Sequence, residues 1–221
     1  DAELVVAPSD DGATLRELAG GVDAIMTCWA AIPAEVIGAV EDCRGVTRLG
    51  IGLDNIDVDY CTRQGIPVTN VPDYCLQEVA EHTLALILAL ARNLGIFHQD
   101  TREGIYCREN GPPLQRLEGR TLGLVGLGSI GRVVASKARA FGLQVIATRR
   151  DLSRSTDGIP VMPLPELLKQ SDFVSLHLPL NDENATLIGD LELATMKPGS
   201  FLINTARGGL VDHQALAGAL D

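Results

Sequence analysis

Thr121-Leu122-Gly123-Leu124-Val125, followed at once by Gly126-Leu127-Gly128-Ser129-Ile130-Gly131, is the stretch that decides the fold. Its first five residues are apolar on both faces, as a parallel strand covered by helices on each side requires. After Ile130, the spacing of Val133, Val134 and Ala138 predicts a helix running to Phe141. A G-x-G-x-x-G run is informative only between a strand and a helix, and here both are present. Gly126 permits the tight turn, Gly128 lets backbone approach a pyrophosphate, and Gly131 lets helix and strand pack closely. The unpaired N–H groups of the helix N-terminus, at Ser129 and Ile130, are then offered to the anion. The stretch reads as a dinucleotide-binding turn, with a plain strand-helix turn as the bland alternative.

Working outward, short apolar runs alternate with helical patterns along nearly the whole chain. Strands are expected at Glu3 to Ala7, Asp23 to Thr27, Thr47 to Ile51 and Pro67 to Asn70. A second series is expected at Thr121 to Val125, Gln144 to Thr148, Pro160 to Met162, Asp172 to Leu178 and Ser200 to Thr205. Pro33 suits a first helical position, and Asp212 suits a cap for the run to Leu220. The segment Gln77 to Phe97, apolar on almost every face from Val79 through Leu94, predicts one helix, buried in the core or at a subunit interface. Pro72 disfavours continued helix or central strand, so a domain boundary is placed there, giving domains 1–70 and 71–221. Gly104 to Gly119 reads as an exposed connection. This alternation means α/β with a doubly wound parallel sheet.

Composition narrows the function. The 221 residues are 46% hydrophobic and 21% charged, which excludes a disordered, collagen-like or fibrous chain. Leu84 to Ala91, the longest apolar run, is far short of the ~20 residues a membrane span needs. No secretory signal is visible at the N-terminus, so a cytoplasmic protein is expected. A net charge of -11 argues against nucleic acid or an anionic membrane as the main partner. Cys28, Cys43, Cys61, Cys75 and Cys107 are widely spaced, without a C-x-x-C pair, and read as reduced thiols rather than zinc ligands. The acidic run Asp54 to Asp59 lacks the Gly and Glu of a calcium loop, so no metal is expected.

The strand Gln144 to Thr148 bears on the choice of dinucleotide. An acidic residue that hydrogen-bonds the ribose of NAD belongs at its end, and this chain has Arg149-Arg150 there. A guanidinium pairs with the 2′-phosphate that a carboxylate would repel. NADP(H) is therefore expected to be preferred, with NAD(H) possible. Arg149 is the main determinant, assisted by Thr148 or Arg150; a solvated basic pair is the alternative.

Further motifs carry a resemblance. Gly50-Ile51-Gly52-Leu53-Asp54-Asn55-Ile56-Asp57, Val71-Pro72, and Val79-Ala80-Glu81-His82-Thr83 occur in order. Leu117-Glu118-Gly119, His177-Leu178-Pro179-Leu180, Lys197-Pro198-Gly199 and Asn204-Thr205-Ala206-Arg207-Gly208-Gly209-Leu210-Val211-Asp212 follow. Together they resemble the D-isomer-specific 2-hydroxyacid dehydrogenases, in the manner of glyoxylate/hydroxypyruvate reductases or phosphoglycerate dehydrogenases.

The resemblance implies a Rossmann-type nucleotide domain beside a flavodoxin-like substrate domain that is incomplete here, with the family's pattern cut at both ends. It implies hydride transfer between NAD(P)H and a small 2-oxo or 2-hydroxy acid, and the apolar helix expected after Pro72 points to a homodimer. Arg207 is implied as the arginine that binds the oxo acid and polarises its carbonyl. Ile51 and Gly52 would offer their backbone N–H groups to the carboxylate. Thr205 and Ala206 would line the nicotinamide side, and Leu178 and Pro179 the cofactor wall. The family's proton-donating histidine and its partner glutamate follow the Asn-Thr-Ala-Arg-Gly motif, beyond the sequence in hand. His82, His98, His177 and His213 do not match the acid position. Trp29 is open to a substrate-flanking or a packing role. A different class of function, a dimeric binding or corepressor-like scaffold controlled by the dinucleotide, uses the same framework.

Overall fold

A computed structural model describes residues 2–151 and 157–220. The chain divides into two compact units, the first ending at Cys75 and the second beginning at Leu76. Residues 71–75 stay with the first unit, where the Val71 N–H donates to the Gly50 carbonyl (3.1 Å).

The first unit is built from α1 (Gly12–Ala19), β1 (Ile25–Thr27), α2 (Ala34–Ile37), β2 (Val46–Arg48), α3 (Val58–Gln64) and β3 (Val68–Thr69). The three strands are parallel in the order β1-β2-β3. Asp11 and Asp57 cap α1 and α3 by accepting from Thr14 N and Tyr60 N. Gly65 closes α3 in the left-handed conformation, φ 71°. Val36, Ile37, Val46, Ile56 and Cys61 form the core. The expected strand at Glu3 to Ala7 is corrected: those residues form no regular element and join no ladder among the described residues, and Leu4 and Val6 are exposed. An apolar run records propensity, whereas a strand also needs a neighbour for its N–H and C=O groups.

The second unit begins with α4 (Leu76–Ala91) and α5 (Leu94–Arg102). The single helix expected from 77 to 97 is thus two, bent by 65°. The break is at Asn93, whose φ is 51° and whose side-chain amide donates to the Pro112 carbonyl (2.7 Å). Helix α4 buries Ala80, Thr83, Leu84, Ile87 and Ala91, a stripe at helical spacing. Among the described residues, no single helix is long and apolar enough to cross a membrane.

Then follow β4 (Thr121–Val125), α6 (Ser129–Ala140), β5 (Gln144–Thr148), α7 (Leu164–Gln170), β6 (Phe173–Leu176), α8 (Asp190–Thr195), β7 (Phe201–Asn204) and α9 (His213–Leu220). The strands are parallel in the order β5-β4-β6-β7. The chain passes from β4 to β5 on one side and then returns to β6 on the other, so β4 and β6 flank the switch point of a doubly wound sheet. Residues 160–162 contribute only an isolated bridge, Ala147 to Val161, rather than a full strand. Leu122, Leu124 and Phe173 are fully buried between α4 and α6 on one side, and Leu167, Val174 and Leu176 fill the other.

Asp172 ties three strands at the N-terminal edge. It accepts from Thr121 N (2.8 Å) and from the side chains of Arg120 and Lys197 (both 3.2 Å). Burial pushes its carboxyl up, but these donors outweigh burial and hold it below the usual carboxylate value. At the opposite edge His177 follows β6, and its Nε2 lies 2.9 Å from the buried Ser175 hydroxyl. Burial pushes the imidazole pKa down to about 4. Folded protein therefore refuses a proton that the unfolded chain accepts below its ordinary value of 6.5. The associated stability is complete above pH 6.5 and is lost as pH falls toward about 4. At 1.36 kcal/mol per unit the loss is on the order of 3 kcal/mol. Chemical denaturation across this range is expected to follow that slope, and His177→Gln to flatten it.

Candidate functional site

The site grows from one register row. Val125 is paired with Thr148 of β5 and Leu176 of β6, and Leu176 with Asn204 of β7. Because all four strands are parallel, the residues just past that row share the C-terminal edge. These are Gly126, Arg149, His177 and Thr205. The sequence-predicted site residues of the second unit sit at this edge: in the strand end at Thr148, in the first turn of α6, and in the loops that follow the strands.

The turn after β4 is built by contact, not only by flexibility. Gly126 has φ 105°, and a Cβ there would meet the His177 carbonyl oxygen at 2.5 Å and Leu178 at 2.9 Å. Its N–H donates to the Thr148 carbonyl (3.0 Å), which pins the turn to β5. A Cβ on Gly131 would overlap the Gly126 carbonyl oxygen. Gly128 differs, because a Cβ there would meet nothing of the chain.

Helix α6 starts at Ser129 without a side-chain cap or an acidic residue in its first turn. The first intrahelical acceptor, Gly128 O, takes the Arg132 N–H, so those of Ser129, Ile130 and Gly131 point out of the helix end. This geometry fits a dinucleotide pyrophosphate. Leu178 packs on the turn, and Pro179 starts a loop braced by Asn184, whose amide donates to the Pro179 carbonyl (2.7 Å). Arg149 is half-buried and Arg150 exposed, the latter paired with Glu183 (2.8 Å).

Beyond β7, Asn204 holds the next loop from both sides. Its Oδ1 accepts from Ala206 N (3.0 Å), and its Nδ2 donates to the Arg207 carbonyl (2.9 Å). Arg207 is half-buried, with Nη1 donating to the Ala206 carbonyl (2.9 Å). Thr205 shares a hydroxyl hydrogen bond of 3.0 Å with Thr83 on α4. Glu78, Val79, His82, Leu86, Asn204 and Thr205 line a shallow cleft of about 310 Å³ beside this loop. Sequence reasoning quoted Asn204 and Thr83 within motifs but assigned them no role. Their signal was polarity beside a strand end, which acquires meaning only once the partner is located.

In the first unit, the loop after β2 carries Ile51 and Gly52. Its carbonyls are engaged, Gly50 O by Val71 N and Ile51 O by the Asn70 amide (2.8 Å). The Ile51 and Gly52 N–H groups have no acceptor among the described residues, as an anion cradle requires. Arg48, not singled out by sequence, is buried with Nε unpartnered and lies against Gly50. It also sits 5.3 Å from the ring centroid of Trp29, which is 80% exposed and therefore not a core residue.

Comparison with known proteins agrees with this geometry. Residues 84–221 match the family described as D-isomer specific 2-hydroxyacid dehydrogenase, NAD binding domain. The chain is 42% identical over 192 residues to D-3-phosphoglycerate dehydrogenase of Mycobacterium tuberculosis, covering 86% of this chain and 36% of that protein. It is 40% identical over 196 residues to glyoxylate reductase of Korarchaeum cryptofilum, covering 86% of this chain and 59% of that protein. It superimposes on an acyclic imino acid reductase solved with NADPH and D-Arg at a TM-score of 0.89. That pair is 32% identical, with 96% of this chain and 68% of the other covered. The chain thus spans from about a third to two thirds of the length of these relatives. With a matching nucleotide domain, a Rossmann-type sheet and the glycine turn in place, the chain belongs to the D-isomer specific 2-hydroxyacid dehydrogenase family.

Proposed function

We propose that the protein transfers a hydride between NADP(H) and a small 2-oxo or D-2-hydroxy acid, with NAD(H) as the weaker cofactor. The observation that carries this reading is the shared edge: the glycine turn and the Arg207 loop leave the same end of one parallel sheet. The dinucleotide, when bound, supplies the hydride. Everything else falls to the chain's own groups.

The Ser129, Ile130 and Gly131 amides hold the pyrophosphate, while Leu178, Pro179, Thr205 and Ala206 wall the cofactor. Thr148, Arg149 and Arg150 meet the ribose end. Arg207 presents a permanent cation that pairs with the acid and draws electron density toward the carbonyl oxygen, easing attack at the carbon. Asn204 keeps that loop from relaxing. The Ile51 and Gly52 amides receive a carboxylate. His177, whose pKa burial lowers to about 4, is uncharged at pH 7 and so lacks the acidic imidazolium form that a proton donor needs. The carbonyl oxygen is instead protonated by the histidine–glutamate pair that the resemblance puts after Arg207. A homodimer working in the cytoplasm completes the reading.

The test is oxidation of NADPH by full-length protein with glyoxylate, hydroxypyruvate and phosphorylated 2-oxo acids. Turnover is expected; cofactor binding without turnover on any of them would overturn the enzyme reading in favour of a scaffold. Arg207→Gln is expected to lower kcat/KM by about a hundredfold or more, with Arg207→Lys recovering only part. Gly131→Ala is expected to cost about 1–3 kcal/mol of stability from overpacking and to weaken NADPH binding in fluorescence titration.

A further inference from the structure

The two arginines at the end of β5 do not have equivalent surroundings. Arg150 Nη2 lies 2.8 Å from Glu183 Oε2, and both side chains are largely exposed, 81% and 77%. The partners come from different loops. Arg150 follows β5, and Glu183 follows β6, on the opposite side of β4. Their ion pair therefore links the loops that leave the two strands flanking β4.

Glu183 is held there by its own loop. Asn181 Oδ1 accepts from Glu183 N and Asn184 N (both 3.1 Å), and Asn184 Oδ1 accepts from Asn181 N (2.8 Å). Asn184 also donates to the Pro179 carbonyl (2.7 Å), so the segment from Pro179 to Asn184 is internally braced. A carboxylate presented on such a loop is set against Arg150 at little cost in ordering.

We infer that Glu183 is a cofactor-specificity residue, which engages Arg150, opposes a ribose 2′-phosphate at the same place, and so keeps NAD(H) competitive with NADP(H). The inference rests on the proposed dinucleotide reading. A 2′-phosphate that approaches Arg150 must displace a carboxylate already paired with it, and meets that carboxylate's charge on the way. A ribose bearing only hydroxyls meets neither penalty. The exposure of the pair keeps the effect modest and makes it sensitive to salt.

The test measures Kd for NADPH and NADH by fluorescence titration of the full-length protein, without substrate. Glu183→Gln is expected to shift the NADPH-to-NADH affinity ratio toward NADPH by about two- to fivefold at low salt, the span of an exposed ion pair. The shift is expected to shrink at high ionic strength. Asp182→Asn removes the same charge from the neighbouring carboxylate, which the pair does not use, and is expected to move the ratio less. An unchanged ratio in Glu183→Gln, or an equal shift in Asp182→Asn, would overturn the inference. A wild-type preference for NADH would defeat the NADP(H) reading alone, because Glu183 is judged by the change in ratio.

Discussion

The close approach of the His177 carbonyl to Gly126 is the constraint on which the second unit depends. Two strand ends, β4 and β6, come within a distance that admits no side chain, and α6 then comes against the Gly126 carbonyl through Gly131. Three backbones meet without any Cβ between them. The helix end is thereby aimed over the sheet, with its unpaired amides facing outward. A larger residue at either glycine would lift the helix from the sheet and lose both the packing and the geometry of the candidate anion site. Structure and candidate function here have the same cause.

Parallel pairing carries the consequence sideways. In a parallel sheet every strand ends on the same side, so a single register row brings Thr148, Val125, Leu176 and Asn204 into line. Loops distant in sequence then converge on one edge, while the Asp172 ion cluster occupies the other edge and is structural. Buried Ser175 and half-buried His177 sit on the functional edge, yet their hydrogen bond and the depressed imidazole pKa mark them as packing groups that stay uncharged. Position at the edge brings a residue to the site; its environment decides what chemistry it can do there.

Much of this was legible in the sequence. Strand β4, the glycine turn and the start of α6 were read to within a residue, because their glycines and their apolar periodicity are local signals. Seven of the nine expected strands start at or within two residues of the observed ones, and Asp212 caps α9 as expected, accepting from Gln214 N and Ala215 N. Legibility failed where the outcome depended on a partner. Glu3 to Ala7 had the apolar pattern of a strand but no ladder. The apolar run from 77 to 97 had helical propensity throughout, yet Asn93 breaks it because its amide reaches the Pro112 carbonyl nineteen residues away.

The same division holds for the site. The chain's own residues determined by themselves that it folds as α/β, that Gly126 to Gly131 is a tight strand-to-helix turn, and that the end of β5 is cationic instead of acidic. Those properties reside in residue type and short spacing. Only the tertiary structure decided that Arg150 meets Glu183, that Thr205 meets Thr83, and that Asn204 clamps the Arg207 loop. The first two pairs are separated by 33 and 122 residues, so their contacts are set by strand order and not by local sequence. The Asn204 clamp is short in sequence, but its direction follows from where β7 ends. Spacing specifies local geometry, and the parallel sheet decides which local geometries meet.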